Sequence, residues 1–460
     1  MKKFILTLLL LCFCSTALAA DNEEKLLQAR EDYLKAFFTS ISAASCLGVY
    51  LPEDSSEFKY LREHGWNVMA YQEKEGKVET NFALAHSYLK DIDKDIYLVT
   101  IRGSATKKDW SINLKTSQVL YEDDVVPADN QKKAAKDMPK VHEGFIKYTD
   151  TIVLNSVIDA DKNFKGIFKE VFSKPNAHLV ITGHSLGGAV ATLLSERLVS
   201  LGMPKDKITA VTFGAPAVGN KAFAEQYGDK INLIRITNTA DPVPGSLQTF
   251  FGGYKQFGYN YKYHLSPKIT SQQHDMAVYY DHSINEYFKY YDECVRLGIL
   301  KDSPNYKYTE GQPVVALWIS SSPQIDKMKY VPDIKRLIIN EFKMMLPSYI
   351  VMDKPKDFDE MPSHSEILKL SKDVGAEYVL IFGIDGNVLK EKKSYWYLAL
   401  TQVLLKTDGQ LVNISTFAKK VDPAAGNITA AGENIHQARE ELLKKLPFLQ
   451  TSYEAKVYGL

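Results

Sequence analysis

Four cysteines in 460 residues, no surplus of either charge, and no long apolar run after the first twenty positions are what this chain lacks. Each absence narrows the field. The 56 basic and 56 acidic residues cancel, so no electrostatic footprint argues for nucleic acid or an anionic membrane surface as partner. A membrane-crossing helix needs roughly 20 consecutive apolar residues, and no segment after the N-terminus supplies them. Cys12 and Cys14 fall in the leader, which leaves Cys46 and Cys294, each on an expected helix. In an oxidising compartment these two either form a disulfide closing a very long loop or remain two buried thiols.

What is present begins with Lys2-Lys3, an apolar stretch from Phe4 to Cys14 and the small-residue end Ala17-Leu18-Ala19-Ala20. These are the three parts of a secretory signal peptide, here over residues 1–19, and they imply a secreted or periplasmic bacterial protein after cleavage. The length suits two or three domains, and 45% hydrophobic residues can fill a substantial core.

Glu23 to Tyr50 reads as a helix, and strands are expected over Val68 to Thr80, Asn81 to Tyr88, Ile96 to Arg102, around Val180, Ile208 to Phe213 and Ile231 to Thr237. Strands alternating with helices predict an α/β domain with a mostly parallel sheet, whose chemistry sits outside the carboxyl ends of the strands. Three of these strands end close to Ser104, Ser185 and Asp241.

The run His178 to Leu194 holds a β-branched strand, then Gly183-His184-Ser185-Leu186-Gly187, then a small-residue helix. A tight strand-to-helix turn pushes the Ser185 hydroxyl out above the sheet, and glycines on either side remove the side chains that would collide there. Free N–H groups at the start of the following helix point at the same place and favour the anion formed when a hydroxyl adds to an ester carbonyl. Asp241 lies just past a strand in Asn238-Thr239-Ala240-Asp241-Pro242-Val243-Pro244, where prolines restrict the loop. Serine, then acid, then histidine is the chain order of an α/β-hydrolase. His264, His274 and His282 all follow Asp241. His264 falls within an expected strand. If one helix runs from about Met276 to Gly298, His274 stands at its entrance and can aim into a cleft. If Ser283 and Glu286 form a capping box, the helix starts later and His282 is the free imidazole.

On these motifs residues 30–298 resemble the class 3 lipases. The shared features are Ile101-Arg102-Gly103-Ser104 followed by Asp109-Trp110, Val141-His142-Glu143-Gly144-Phe145, the GHSLGGA elbow, Thr212-Phe213-Gly214-Ala215-Pro216 with Val218-Gly219-Asn220, and Asp241-Pro242-Val243-Pro244. The resemblance implies an α/β-hydrolase fold, Ser185 as nucleophile, Asp241 as acid, and an oxyanion hole from the N–H groups of Ser104 and Leu186. It also favours His274 as base, because plant members carry a histidine in a context like residues 254–279. It implies a lipid or ester substrate, with no metal and no cofactor. His142 and Trp110 are read as structural. One departure is the stretch Ser117 to Lys140, which is long and charged where the fungal members carry an apolar lid.

Residues 299–311 read as a linker and 312–460 as a smaller α/β accessory domain with a strand, a helix over Val331 to Met345, further strands and a closing helix over Ile428 to Leu446. It carries no metal, phosphate-loop or nucleophile pattern, and docking of an envelope protein is its expected role. The function expected of the whole is serine-dependent cleavage of lipid carboxylic esters through an acyl-enzyme. The rivals are a thioesterase using the same triad and an inactive binding protein that keeps a hydrolase fold.

Overall fold

The computed structural model describes residues 2–50, 56–75, 78–90, 92–103, 117–121, 138–158, 164–265, 273–354, 361–390, 394–421 and 426–451. Helices α1 (Lys2–Gly48) and α2 (Ser56–Glu63) lead into strands β1 (Asn67–Glu75), β2 (Val78–Leu89) and β3 (Lys94–Ile101). Strands β4 (Gln118–Leu120) and β5 (Lys140–His142) form a small ladder of their own, followed by α3 (Glu143–Ile158) and α4 (Phe164–Ser173). Then β6 (Ala177–His184), α5 (Leu186–Ser200), β7 (Ile208–Phe213), α6 (Lys221–Tyr227), β8 (Leu233–Asn238), β9 (Tyr259–Tyr263) and α7 (Met276–Arg296) complete the first half.

The main sheet has the order β1-β2-β3-β6-β7-β8-β9. Pairing is antiparallel through β1, β2 and β3 and parallel from β3 to β9. This is an α/β-hydrolase arrangement. Strands β6, β7 and β8 are buried along nearly their whole length because they are covered on both faces. On one face Val180, Val211, Ile234 and Ile236 pack with Phe37 and Ile41 of α1 and Ile284 and Tyr287 of α7. On the other, Leu179, Ile181 and Ile208 pack with Phe145 and Ile152 of α3 and Val190, Leu193 and Leu194 of α5.

The second sheet comprises β10 (Tyr306–Lys307), β11 (Val314–Ser321), β12 (Ser348–Met352), β13 (Tyr378–Lys390), β14 (Ser394–Lys406) and β15 (Leu411–Val421), in the order β10-β12-β11-β13-β14-β15. It is joined by α8 (Val331–Met345), α9 (His364–Asp373) and α10 (Asn427–Leu443). Leu317, Leu380, Phe382 and Leu400 of this sheet, with Ile338 and Phe342 of α8 and Ile435 and Leu442 of α10, belong to the same apolar cluster as α1 and α7. The two sheets therefore share one core across α7.

Some open expectations are settled and others corrected. Of the two alternatives for Cys46 and Cys294, the structure takes the second, two buried thiols with no bridge. The Cys46 thiol lies against the Thr182 hydroxyl, whereas Cys294 donates to the Ala29 carbonyl. Cys46 and Ala29 are on the same helix, roughly 25 Å apart at its rise per residue, and a disulfide needs Cα atoms within about 7 Å. The first hairpin breaks between Glu75 and Val78, not at Thr80, because Thr80 pairs with Glu73 inside the ladder. Within the expected linker, Tyr306 and Lys307 pair antiparallel with β12. Ser283 caps nothing: α7 starts at Met276, with Asp275 accepting from the Ala277 N–H, and the Ser283 hydroxyl donates back to the Tyr279 carbonyl.

The two halves are also tied by Asp281 of α7. Its carboxylate is buried and accepts from the N–H groups of Asn427 at 2.8 Å, Ile428 at 3.0 Å and Thr429 at 3.4 Å, the first turn of α10. Those N–H groups have no acceptor inside their own helix. Asp281→Ala leaves them buried and unpaired and is expected to cost about 2–4 kcal/mol, while Asp281→Asn keeps one acceptor and costs less. Urea unfolding of the three proteins checks the ranking, and an alanine variant as stable as the parent refutes the tie.

Candidate active site

The elbow forms because β6 must hand over to α5 without a loop. Ser185 sits at φ 58° and ψ −124°, a conformation that costs a side-chain-bearing residue of order 1–3 kcal/mol. The Ser185 N–H is held by the Phe213 carbonyl at 2.9 Å, and the Ser185 carbonyl accepts from the Gly188 and Ala189 N–H groups. The turn also needs the neighbouring glycines, since a Cβ on Gly187 would lie 2.1 Å from the Ile101 carbonyl oxygen. The Leu186 N–H is the first of α5 and has no intrahelical acceptor.

Three sequence-predicted residues come together at the carboxyl ends of β6 and β8. His274 Nε2 lies 2.9 Å from Ser185 Oγ, and His274 Nδ1 lies 2.7 Å from Asp241 Oδ2. The Asp241 side chain is 0% exposed and that of His274 23%. The carboxylate also accepts from the Val243 N–H at 2.9 Å and from the Tyr279 hydroxyl at 2.5 Å. Burial, and after it the neighbouring Asp241 charge, holds the Tyr279 hydroxyl far above its usual range, so Tyr279 donates. With Nδ1–H committed to Asp241, His274 presents the lone pair of Nε2 to the serine hydroxyl.

His282 lies elsewhere, inside α7, with its ring stacked on Tyr263 at a centroid distance of 4.0 Å. His264 follows the last residue of β9. His142 is fully buried, and its Nδ1 accepts from the Gly144 and Phe145 N–H groups at the start of α3, a helix-capping role. Ser104, Asp109, Trp110 and most of the charged stretch 117–140 lie outside the described residues.

Sequence reasoning missed four residues that fix this geometry. His184 Nε2 donates to the His274 carbonyl at 2.8 Å, so its Nδ1 must accept, which it does from the Tyr50 hydroxyl at 3.1 Å. Burial, and secondarily the adjacent His274 ring, pushes His184 down to about 3, which keeps it neutral. Asn238 donates to the Gln273 carbonyl at 2.9 Å and so fixes the residue before the histidine. A Cβ on Gly214, at φ +57°, would lie 2.8 Å from Asp241 Oδ2 and 3.1 Å from His274 Cε1, so only glycine fits there. Tyr279 had a visible signal, a tyrosine five residues after a histidine. The roles of His184 and Gly214 were hidden within motifs read only for their pattern.

Among the described residues no group of side chains could hold a metal ion, and no helix is long and apolar enough to cross a membrane.

Residues 98–250 match the family model described as lipase (class 3). The chain is 29% identical to the chloroplastic galactolipase DONGLE of Arabidopsis thaliana over 177 residues, covering 35% of this chain and 36% of the relative. It is 43% identical to the secreted mono- and diacylglycerol lipase A of Penicillium cyclopium over 113 residues, covering 24% of this chain and 33% of the relative. The chain thus spans about a third of the length of these curated relatives. Among solved structures, the triacylglyceride lipase of Rhizomucor miehei aligns with 49% of this chain and 77% of that chain, at 23% identity and a TM-score of 0.38.

Burial also depresses His178 and His282 to about 4. All three imidazoles are neutral in the fold but take up protons when the chain unfolds below about pH 6.5, so stability falls as pH drops from there toward 4. Urea unfolding between pH 7.5 and 4.5 should show that decline, with a shallower slope in His184→Asn. Equal slopes in His184→Asn and the parent would contradict the burial of a neutral imidazole at His184.

Proposed function

We propose that the class 3 lipase segment, residues 98–250, completed by His274, works as a serine hydrolase of lipid carboxylic esters through an acyl-enzyme. The observation that carries this reading is the unbroken hydrogen-bonded line from Ser185 Oγ through His274 to the buried Asp241 carboxylate. In the first half-reaction His274 Nε2 takes the hydroxyl proton as Ser185 Oγ adds to the ester carbonyl. Asp241 holds the ring by Nδ1 and favours the imidazolium that forms, without itself becoming protonated. The carbonyl oxygen, now anionic, takes the Leu186 N–H at the positive end of α5, with Ser104 as the second donor that the family resemblance supplies. His274 then passes its proton to the leaving alcohol. Water repeats the cycle on the acyl-Ser185 ester and releases the acid.

Support for a lipid substrate comes from the names of the relatives, a galactolipase and a mono- and diacylglycerol lipase. The protein acts outside the cytoplasm, as secreted or periplasmic material, on the strength of Lys2-Lys3, the Phe4 to Cys14 run and the Ala17 to Ala20 end.

Labelling with a fluorophosphonate probe tests the serine directly, because only an activated hydroxyl reacts. The expected result is one label per chain, on Ser185, lost in Ser185→Ala and in His274→Ala but retained in His282→Ala. Asp241→Asn is expected to lower kcat on a short-chain ester by about 10⁴, since the ring is then held in the wrong tautomer. Tyr279→Phe removes one of three donors to the same carboxylate and should lower kcat about three- to tenfold. No labelling of wild-type protein, or full activity in His274→Ala, would sink the assignment.

A further inference from the structure

Helix α1 ends over the carboxyl ends of β3 and β6. Near its last turn the Ser45 hydroxyl lies 2.6 Å from the Thr100 hydroxyl of β3, and the Cys46 thiol lies 3.5 Å from the Thr182 hydroxyl of β6. Thr100 and Thr182 are paired neighbours in the sheet. Tyr50, two residues past the helix, therefore stands where both strands stop. The one proton of its hydroxyl goes to His184 Nδ1 at 3.1 Å, because His184 Nε2–H is committed to the His274 carbonyl. Beside the same hydroxyl runs the chain that leaves β3. A Cβ on Gly103 would lie 2.3 Å from the phenol oxygen and 2.6 Å from the His184 carbonyl oxygen. Burial first, and then Cys46, holds the phenol above its usual range, and the Gly103 N–H opposes that shift as a donor to the same oxygen.

A second contact comes from the elbow, where a Cβ on Gly187 would lie 3.0 Å from the Gly103 nitrogen. Gly103 is thus seated against both the first turn of α5 and the Tyr50 hydroxyl. The peptide that follows Gly103 carries the Ser104 N–H, the second donor that the family resemblance gives to the oxyanion hole. The first donor, the Leu186 N–H, is fixed by the elbow itself. Two donors grip one anionic oxygen only when each is set about 2.7–3.1 Å from it. A glycine lets the peptide after it turn unless packing stops it, and the Tyr50 hydroxyl supplies that stop. Through His184 the same hydroxyl bears on the His274 backbone.

We propose that Tyr50 is a positioning residue for ester hydrolysis at Ser185, its hydroxyl setting the Gly103 backbone, and so the spacing of the oxyanion hole, in register with the loop that carries His274. This role presupposes the hydrolase reading, and Tyr50 acts in it through its neighbours and not on the substrate.

The full chain carrying Tyr50→Phe tests it on a short-chain ester and on the matching thionoester, in which sulfur replaces the carbonyl oxygen. Sulfur is larger and a poorer acceptor, so a well-set hole favours the ester and a disturbed one loses that preference. Removing a hole donor outright costs about 10²–10³ in kcat, and misplacing one costs less. Tyr50→Phe is therefore expected to lower kcat on the ester about 10- to 100-fold with KM within about threefold, since the hole acts on the transition state. The ratio of ester to thionoester kcat should fall at least about fivefold. A phenol that only supports the fold would lower the urea midpoint and leave that ratio where it was. Gly103→Ala, whose Cβ has no room beside the phenol oxygen, should lower the same ratio, and it carries the comparison should Tyr50→Phe misfold. An unchanged ratio, or a kcat within about twofold of the parent, overturns the role. If wild-type Ser185 takes the fluorophosphonate label all the same, only the positioning role of Tyr50 falls. If it takes none, the hydrolase reading falls too.

Discussion

A carboxylate removed from water must be met by donors or the fold cannot hold it charged. Asp241 meets that condition three times over, with the His274 imidazole, the Tyr279 hydroxyl and the Val243 N–H. Much of the surrounding architecture serves this single requirement. The Asp275 cap fixes where α7 begins, and so where His274 and Tyr279 stand relative to each other. Gly214 leaves the volume that Asp241 Oδ2 occupies. Asn238, at the end of β8, holds Gln273 and accepts the Ala240 N–H, so the acid loop and the histidine loop are fastened by one side chain.

The elbow was legible because its constraints are local. A strand, three glycines and a small-residue helix leave the backbone only one way to turn, and Ser185 adopts the expected strained conformation. The α/β alternation was likewise readable, down to the bounds of β7 and α8, because an apolar run or an amphipathic period depends on near neighbours alone. The choice between His274 and His282 was not fixed in the same way. It turned on whether one helix ran from about Met276 or a Ser283–Glu286 capping box started it later. Packing decides it, since Ser283 is buried about two turns inside α7, where its hydroxyl donates to the Tyr279 carbonyl. The state of the two cysteines was left open for a similar reason. Their separation along the chain says nothing about their lying 17 residues apart along α1, Cys294 against Ala29 and Cys46 within the helix itself.

The second half of the chain reads as a separate unit in sequence, but the core does not stop between the halves. α7 is apolar on the face toward the main sheet and on the face toward α8 and α10, which explains why its aromatic residues recur more often than a single buried stripe requires. A buried charge cluster reinforces the contact. Glu341 of α8 lies 3.0 Å from His64 and 3.2 Å from Arg439 of α10, and Arg439 also pairs with Glu63 at the end of α2. Such a cluster adds little net stability over well-packed apolar residues. It does penalise any docking of the halves that leaves one partner unpaired, and so it specifies a single arrangement.

This arrangement bears on the site through α7. His274 stands two residues before the helix, and Asp281, one and a half turns into it, is fastened to the first turn of α10. A helix is stiff over so short a span, so a displacement of α10 moves the start of α7 and with it the imidazole. The tolerance at that end is small. A hydrogen bond weakens steeply beyond about 3.2 Å, and the His274 to Ser185 contact is already 2.9 Å. Helix α10 of the second half is therefore joined through Asp281 and α7 to the segment that presents His274 to Ser185.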